Sequence, residues 1–208
     1  GMIIQGYDFE ISDSSGPVYS GDTVFGFFSA ESLAQQVGIR DARPYQPSPA
    51  ETARAEQFDY PSTAPFPKAQ LRMVDRIDLL IEDGGPHGLG VIRGSKPVDP
   101  EEWFFRAHFY QDPVWPGSLG LESFLQLLKV VAARRWGVAP DSNWTCLAPG
   151  EAHSWNYRGQ IVPENGRVSV EALVSSVDDD ARLIRANGCL AVDGRIIYQM
   201  QGFSLQLL

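Results

Sequence analysis

Residues 108–124 read HFYQDPVWPGSLGLESF and gather unusual chemical means into one short stretch. His108 opens it, Pro113 and Pro116 stiffen the loop that follows, and Gly117 and the carboxylate of Glu122 close it. A histidine of near-neutral pKa is the usual proton-abstracting side chain. Gly117, with no Cβ, allows close approach to the start of a helix, where unpaired backbone N–H groups polarise a carbonyl oxygen. Glu122 supplies an acid. Taken alone, a histidine among Phe104, Phe105, Phe109 and Trp115 is more often a satisfied core residue. Base, donor loop and acid together are the parts for removing a proton beside a carbonyl while a leaving group is protonated.

A helix must position these groups. Residues 118–136 form one, ended by Gly137 and then Pro140. Leu119, Leu121, Phe124, Leu125, Leu127, Leu128, Val130 and Val131 occupy nearly every face, the signature of a buried helix about 28 Å long. Glu122, Gln126 and Lys129 fall at i, i+4 and i+7 and make one polar stripe on it. A carboxylate there is costly unless hydrogen-bonded or neutralised, and burial favours its protonated form, as a general acid requires. The competing reading is helix capping. Ser118 is a plausible N-cap, but a capping box places the acid three residues on, where Leu121 stands. Glu122 then merely complements the helix dipole.

The remainder of the chain is strand-like. QLRMVDRIDLLI and LGVIRGS precede the motif. After the helix, WTCLAPGEAHSWNYRGQIV, RVSVEALVSSV, RLIRANGCLAV and RIIYQMQGFSLQL follow one another, with hairpin signals at Asn165-Gly166 and Asp193-Gly194. The fold class is therefore α+β: one antiparallel sheet wrapped around one long helix, preceded by an N-terminal strand and linker extension. Residues 1–65 form that extension and 66–208 the domain. In the extension, residues 3–28 have strand-like apolar content broken by turn-formers at SDSSGP and YSGD, 30–38 read as a short helix, and 40–67 as a proline-rich surface linker. DSSGPVY echoes DGRIIY near the C-terminus, so the extension also reads as the last hairpin of a preceding domain of the same kind.

Composition narrows the classes further. Hydrophobic residues at 43% and charged residues at 21% are values of a globular chain. The net charge of −9 argues against nucleic acid as the main partner. No apolar run approaches the ~20 residues of a membrane span, and the start lacks the pattern of a signal peptide. Gly1 before Met2 reads as a tag remnant. Cys146 and Cys189 have no metal or redox spacing and fit a reducing, cytoplasmic setting. His87 reads as an exposed turn residue and His153 as a strand residue with a local hydrogen bond. No histidine pair has metal-binding spacing, and no nucleophile elbow, phosphate loop or dinucleotide fingerprint occurs. No cofactor is implied.

WFFRAHFYQDPVWPGSLGLESFLQL resembles the hot-dog-fold β-hydroxyacyl-acyl-carrier-protein dehydratases, in particular the dehydratase/isomerase branch. The likeness extends through MVDRI before it and RGQIVP and VDGRIIY after it, about residues 66–208. GPVYSGDTVFGFFS, YQPSP and DPVWPGSLGLESFLQLLK further resemble dehydratase domains of polyunsaturated fatty acid synthases. The resemblance implies that His108 is the catalytic base, Glu122 the acid and Gly117 the carbonyl-binding N–H. Phe105, Trp115, Leu121 and Leu125 would line an acyl tunnel, with Gln126 as supporting polar residue. It also implies an acyl carrier protein as partner, and a site whose histidine and acid come from two facing hot-dog units, in a homodimer or tandem pseudo-dimer. That branch typically carries aspartate at the acid position; glutamate here leaves the isomerase step open. Arg72, Arg76, Lys129, Arg134 and Arg135 are candidates for a basic docking patch, and solvated faces explain them equally well. Two rival readings are an acyl thioesterase and a non-catalytic hot-dog domain that pairs with an active partner.

Overall fold

Alternation of apolar and polar residues produces strands throughout the computed structural model, which describes residues 2–208. Gly1 lies outside the described residues. The chain divides into two compact units, one ending at Gln36 and the other spanning Val37–Leu208.

The first unit is a hairpin of β1 (Met2–Asp13) and β2 (Gly16–Phe28), followed by α1 (Ala30–Ala34). Gly16, at φ 123°, completes the turn, where Asp13 Oδ1 accepts from Ser15 N at 2.7 Å. The register sets Ile3 opposite Phe27, Gln5 opposite Phe25 and Ile11 opposite Tyr19. These residues, with Tyr7 and Phe9, make one apolar face by the two-residue period of a strand. YSGD is not a second turn: Tyr19–Asp22 continue β2, because their partners Ile11, Glu10, Phe9 and Asp8 complete an unbroken ladder. Helix α1 stops at Ala34, short of the expected Gly38.

The second unit begins well upstream of the 65/66 boundary expected from composition. Its residues 37–65 carry α2 (Pro49–Thr52) and β3 (Glu56–Asp59) and pack on the sheet. Proline content conceals this, because the contacts come from single residues. Ser48 and Glu51 form a capping box on α2, and Glu51 Oε1 also accepts from Gly85 N at 3.0 Å. Glu171 Oε1 accepts from Tyr45 N at 2.9 Å, and Tyr45 packs with Leu79, Ile81 and Val91.

The body of the unit comprises β4 (Arg76–Ile81), β5 (Val91–Pro97), α3 (Trp103–Ala107), α4 (Gly117–Trp136), β6 (Trp144–Cys146) and β7 (Ser154–Tyr157). Three long strands complete it, β8 (Arg167–Asp178), β9 (Leu183–Val192) and β10 (Arg195–Leu207). One antiparallel sheet runs β3-β4-β5-β8-β9-β10-β6, with β7 pairing another stretch of β10. Helix α4 lies against β5, β8, β9 and β10. This is the hot-dog fold. Gly188 on β9 is what lets helix and sheet approach so closely: a Cβ there would collide with the Glu171 carbonyl and the Phe124 ring.

Two strand expectations are corrected. The segment after α4 is not one strand but β6 and β7, separated by a loop in which Leu147 has φ 59°. Asn165-Gly166 is not a hairpin, since β7 pairs β10 while β8 lies between β5 and β9. Instead the Asp193 carboxylate accepts from Asn165 Nδ2, Gly166 N and Arg167 N, which pins that loop to the β9–β10 turn. Asp193-Gly194 does make that turn, with φ of 49° and 81°.

Candidate active site

Helix α3 ends at Ala107, and His108 is its C-cap. The chain then reverses through Phe109–Asp112, whose N–H and C=O groups bond each other, with Gln111 at φ 56°. His108 and Val114 clasp each other across this reversal. The His108 carbonyl accepts from Val114 N at 2.9 Å, and His108 Nδ1 lies 3.0 Å from the Val114 carbonyl oxygen. A carbonyl oxygen can only accept, so Nδ1 carries the proton and Nε2 of the neutral ring keeps a lone pair. The ring is half-buried and packs on Phe109, with centroids 3.8 Å apart.

From Val114 the chain enters α4. Trp115 N donates to Ile161 O at 2.9 Å, and Pro116, not Ser118, is the N-cap. Proline has no side-chain acceptor, so no side chain caps the helix, and the Gly117 N–H makes no backbone bond among the described residues. That leaves a donor without a backbone acceptor three residues after Val114. Trp155 stands over it: a Cβ on Gly117 would lie 2.8 Å from the indole. Tyr198 and Tyr157 back this indole with ring centroids 5.3 and 5.5 Å away.

Glu122 lies farther along α4 and shares no hydrogen bond with His108 within the chain. Its Oε1 accepts from Gln126 Nε2 and from Lys129 Nζ, each at 3.0 Å. The polar stripe expected from spacing is thus a bonded cluster, and its carboxylate is paired with a cation rather than isolated. Gln126 is fully buried and fully occupied: Nε2 also donates to Leu71 O at 2.7 Å, and Oε1 accepts from Met73 N at 2.9 Å. Tyr60 completes the cluster by donating its hydroxyl to the Gln126 carbonyl at 3.1 Å. Burial, and next the charge of Glu122, push the Tyr60 phenol well up, so it remains a neutral donor. Sequence reasoning missed Tyr60 because it lies in the segment read as linker. It also missed Trp155, which carries no motif of its own.

The residues expected to line a tunnel divide. Phe105, Trp115 and Leu125 belong to the packed core, with Phe104 between Phe105 and Trp115 at centroid distances of 4.9 and 4.5 Å. Leu121 is only half-buried. The candidate basic residues for a docking patch are all ion-paired. Arg72 faces Asp75, Arg76 faces Asp59 and Asp78, Arg134 faces Glu56, Arg135 faces Asp179, and Lys129 is buried on Glu122. Cys146 and Cys189 are both free thiols, the latter pushed up to about 12 mainly by burial. His87 lies exposed in a turn; His153 precedes β7 and packs edge-on against Phe203. Among the described residues no helix is long and apolar enough to cross a membrane.

Comparison with known proteins supplies the family. The FabA-like domain matches residues 66–201, nearly the whole sheet and all of α4. The chain belongs to the FabA-like family. One subunit of a polyunsaturated fatty acid synthase from Thraustochytrium sp. is 33% identical over 99% of this chain. The chain spans only 15% of that relative's length. Among solved structures, the dehydratase heterocomplex of Xenorhabdus doucetiae is 11% identical, covering 68% of this chain and 86% of its own, with a TM-score of 0.49. A thioesterase from Pseudomonas aeruginosa is 15% identical, covering 57% of this chain and 74% of its own, with a TM-score of 0.40. The FabA-like match contains His108, Gly117, Glu122, Gln126 and Lys129, and leaves the β1–β2 hairpin outside.

Proposed function

We propose that this FabA-like domain dehydrates (3R)-3-hydroxyacyl thioesters held on an acyl carrier protein, giving trans-2-enoyl thioesters and water. The observation that carries the reading is the His108–Val114 clasp, which leaves Nε2 as the free base beside an uncapped helix start. The thioester carbonyl accepts from Gly117 N–H, which acidifies the carbon between carbonyl and hydroxyl. His108 Nε2 takes that proton. The C–O bond at carbon 3 then breaks, and the departing hydroxyl leaves as water with a proton from the protonated Glu122 carboxyl, passed directly or relayed by a water. His108 and Glu122 share no hydrogen bond with each other, and on this reading one complete site takes them from two hot-dog units, in a homodimer or a tandem arrangement. The β1–β2 hairpin, an amphipathic two-stranded piece, fits the end of such a neighbouring unit.

Hydration of a crotonyl thioester, followed by loss of the enoyl absorbance, tests the reading. His108→Ala should abolish turnover with the thermal midpoint within a few degrees of wild type. Retained hydration in this variant, or release of free thiol in place of hydration, would overturn it in favour of another chemistry, the second outcome indicating a thioesterase.

A further inference from the structure

Lys129 is an odd residue for its place. It lies two turns beyond Glu122 on α4, is 8% exposed, and its neighbours on the helix are Leu125, Leu128 and Val130, all buried. Taking an ammonium and a carboxylate out of water is costly for each ion, and a leucine or methionine would pack there without that cost. Core stability alone therefore gives no reason for lysine at 129. Its one carboxylate partner among the described residues is Glu122, at 3.0 Å.

The geometry of the pair is informative. Gln126 Nε2 and Lys129 Nζ both donate to Oε1, while Oε2 accepts no hydrogen bond among the described residues. Gln126 is itself held by Leu71 O and Met73 N on the segment before β4, so it cannot swing away. The other ionisable groups near the pair come from different elements: Tyr60 after β3, Cys146 on β6 and Arg72 before β4. Tyr60 donates to the Gln126 carbonyl and Arg72 pairs with Asp75, so neither bonds Glu122. One oxygen is gripped from two sides and the other is presented.

We propose that Lys129 is a positioning residue, which fixes Glu122 through Oε1 so that Oε2 alone meets the substrate hydroxyl. This rests on the reading of Glu122 as the acid of the dehydratase. The test compares Lys129→Met, Lys129→Arg, Glu122→Gln and the double variant Glu122→Gln/Lys129→Met in crotonyl thioester hydration, with thermal unfolding alongside. Lys129→Met should lose about 10- to 100-fold in kcat, with KM within about twofold of wild type. Its thermal midpoint should fall, because removing one partner leaves the mostly buried Glu122 carboxylate without its cation, so kcat is read well below that midpoint. Lys129→Arg should recover most of kcat. In the Glu122→Gln background, Lys129→Met should cause no further loss, since the lysine acts through the acid.

Wild-type kcat in Lys129→Met, or a full additive loss in the double variant, overturns the positioning role and leaves the dehydratase reading standing. Undiminished activity in Glu122→Gln overturns the acid assignment and this proposal with it, as does a wild-type protein without turnover. Should Lys129→Met fail to fold, Lys129→Gln reads the same kcat, and a wild-type value there is equally fatal.

Discussion

At Gly117 the space for a side chain is already taken. An added methyl would press on the Trp155 indole at 2.8 Å, and either the indole or the helix start must give way. Gly117→Ala should therefore lower kcat/KM for thioester hydration by about 10-fold or more while leaving the far-ultraviolet circular dichroism unchanged, because misplacing one carbonyl donor is felt mainly in the transition state. Glu122→Gln makes a contrasting variant. The amide keeps an oxygen for Gln126 and Lys129 but loses the acid, so kcat should fall with little change in KM, measured on the same substrate. These positions stood out because HFYQDPVWPGSLGLESF brings a histidine, a glycine at a helix start and a carboxylate into one continuous stretch. Tyr60 was not legible. It reaches the site by donating to Gln126, 66 residues away, and nothing local in YPSTAPFP marks it.

At the level of elements, residues 37–65 show how a segment rich in proline becomes structure through a few polar clasps. Glu51 is the strongest. The Ser48 backbone N–H, then the Gly85 N–H and the Ser48 hydroxyl, lower its carboxyl from 4.5 to about 2. A carboxyl whose folded value lies below its unfolded one contributes stability above the unfolded value and loses that contribution as pH falls through the folded one. Thermal melts of wild type and Glu51→Gln should thus differ most at neutral pH, with the variant lower, and converge as pH falls from about 4.5 toward 2. Strands β8, β9 and β10 were legible from alternation and from Asp193-Gly194. The division of 144–162 into β6 and β7 was not, because the unpaired edge of a long strand decides it and that edge leaves no period in the sequence. The Gly188 contact was equally silent. Gly188→Ala should destabilise the domain by about 1–3 kcal/mol in denaturant melts, since its Cβ meets both the Glu171 carbonyl and the Phe124 ring.

For the whole molecule, the decisive question is which copy or unit supplies each half of a site. Co-expressing His108→Ala with Glu122→Gln answers it for a homodimer. If histidine and acid come from different copies, mixed dimers contain one site with both groups intact, and hydration should return to roughly a quarter of wild type. No recovery, with mixed dimers verified by tag pull-down, would place both groups in one copy or in a tandem neighbour. The hairpin of β1 and β2 makes a separate prediction. Ile3, Tyr7, Ile11, Phe25 and Phe27 are all at least half exposed on one face. Such a face promotes self-association, so Phe25→Ser/Phe27→Ser should reduce concentration-dependent association in sedimentation velocity. Each candidate basic residue of the docking patch has an acidic neighbour in its own chain.

The clasp between His108 and Val114 has one further consequence, for tolerance to change. The atom that sets the tautomer of the histidine is a main-chain oxygen, which every amino acid possesses. Replacement at position 114 alters packing but cannot delete that acceptor. What the arrangement cannot absorb is a shift in spacing: losing or gaining one residue between 109 and 113 would carry the oxygen away from Nδ1. In this loop, indels rather than substitutions are the damaging class, and a library that varies its length should lose hydration activity far more often than one that varies its letters.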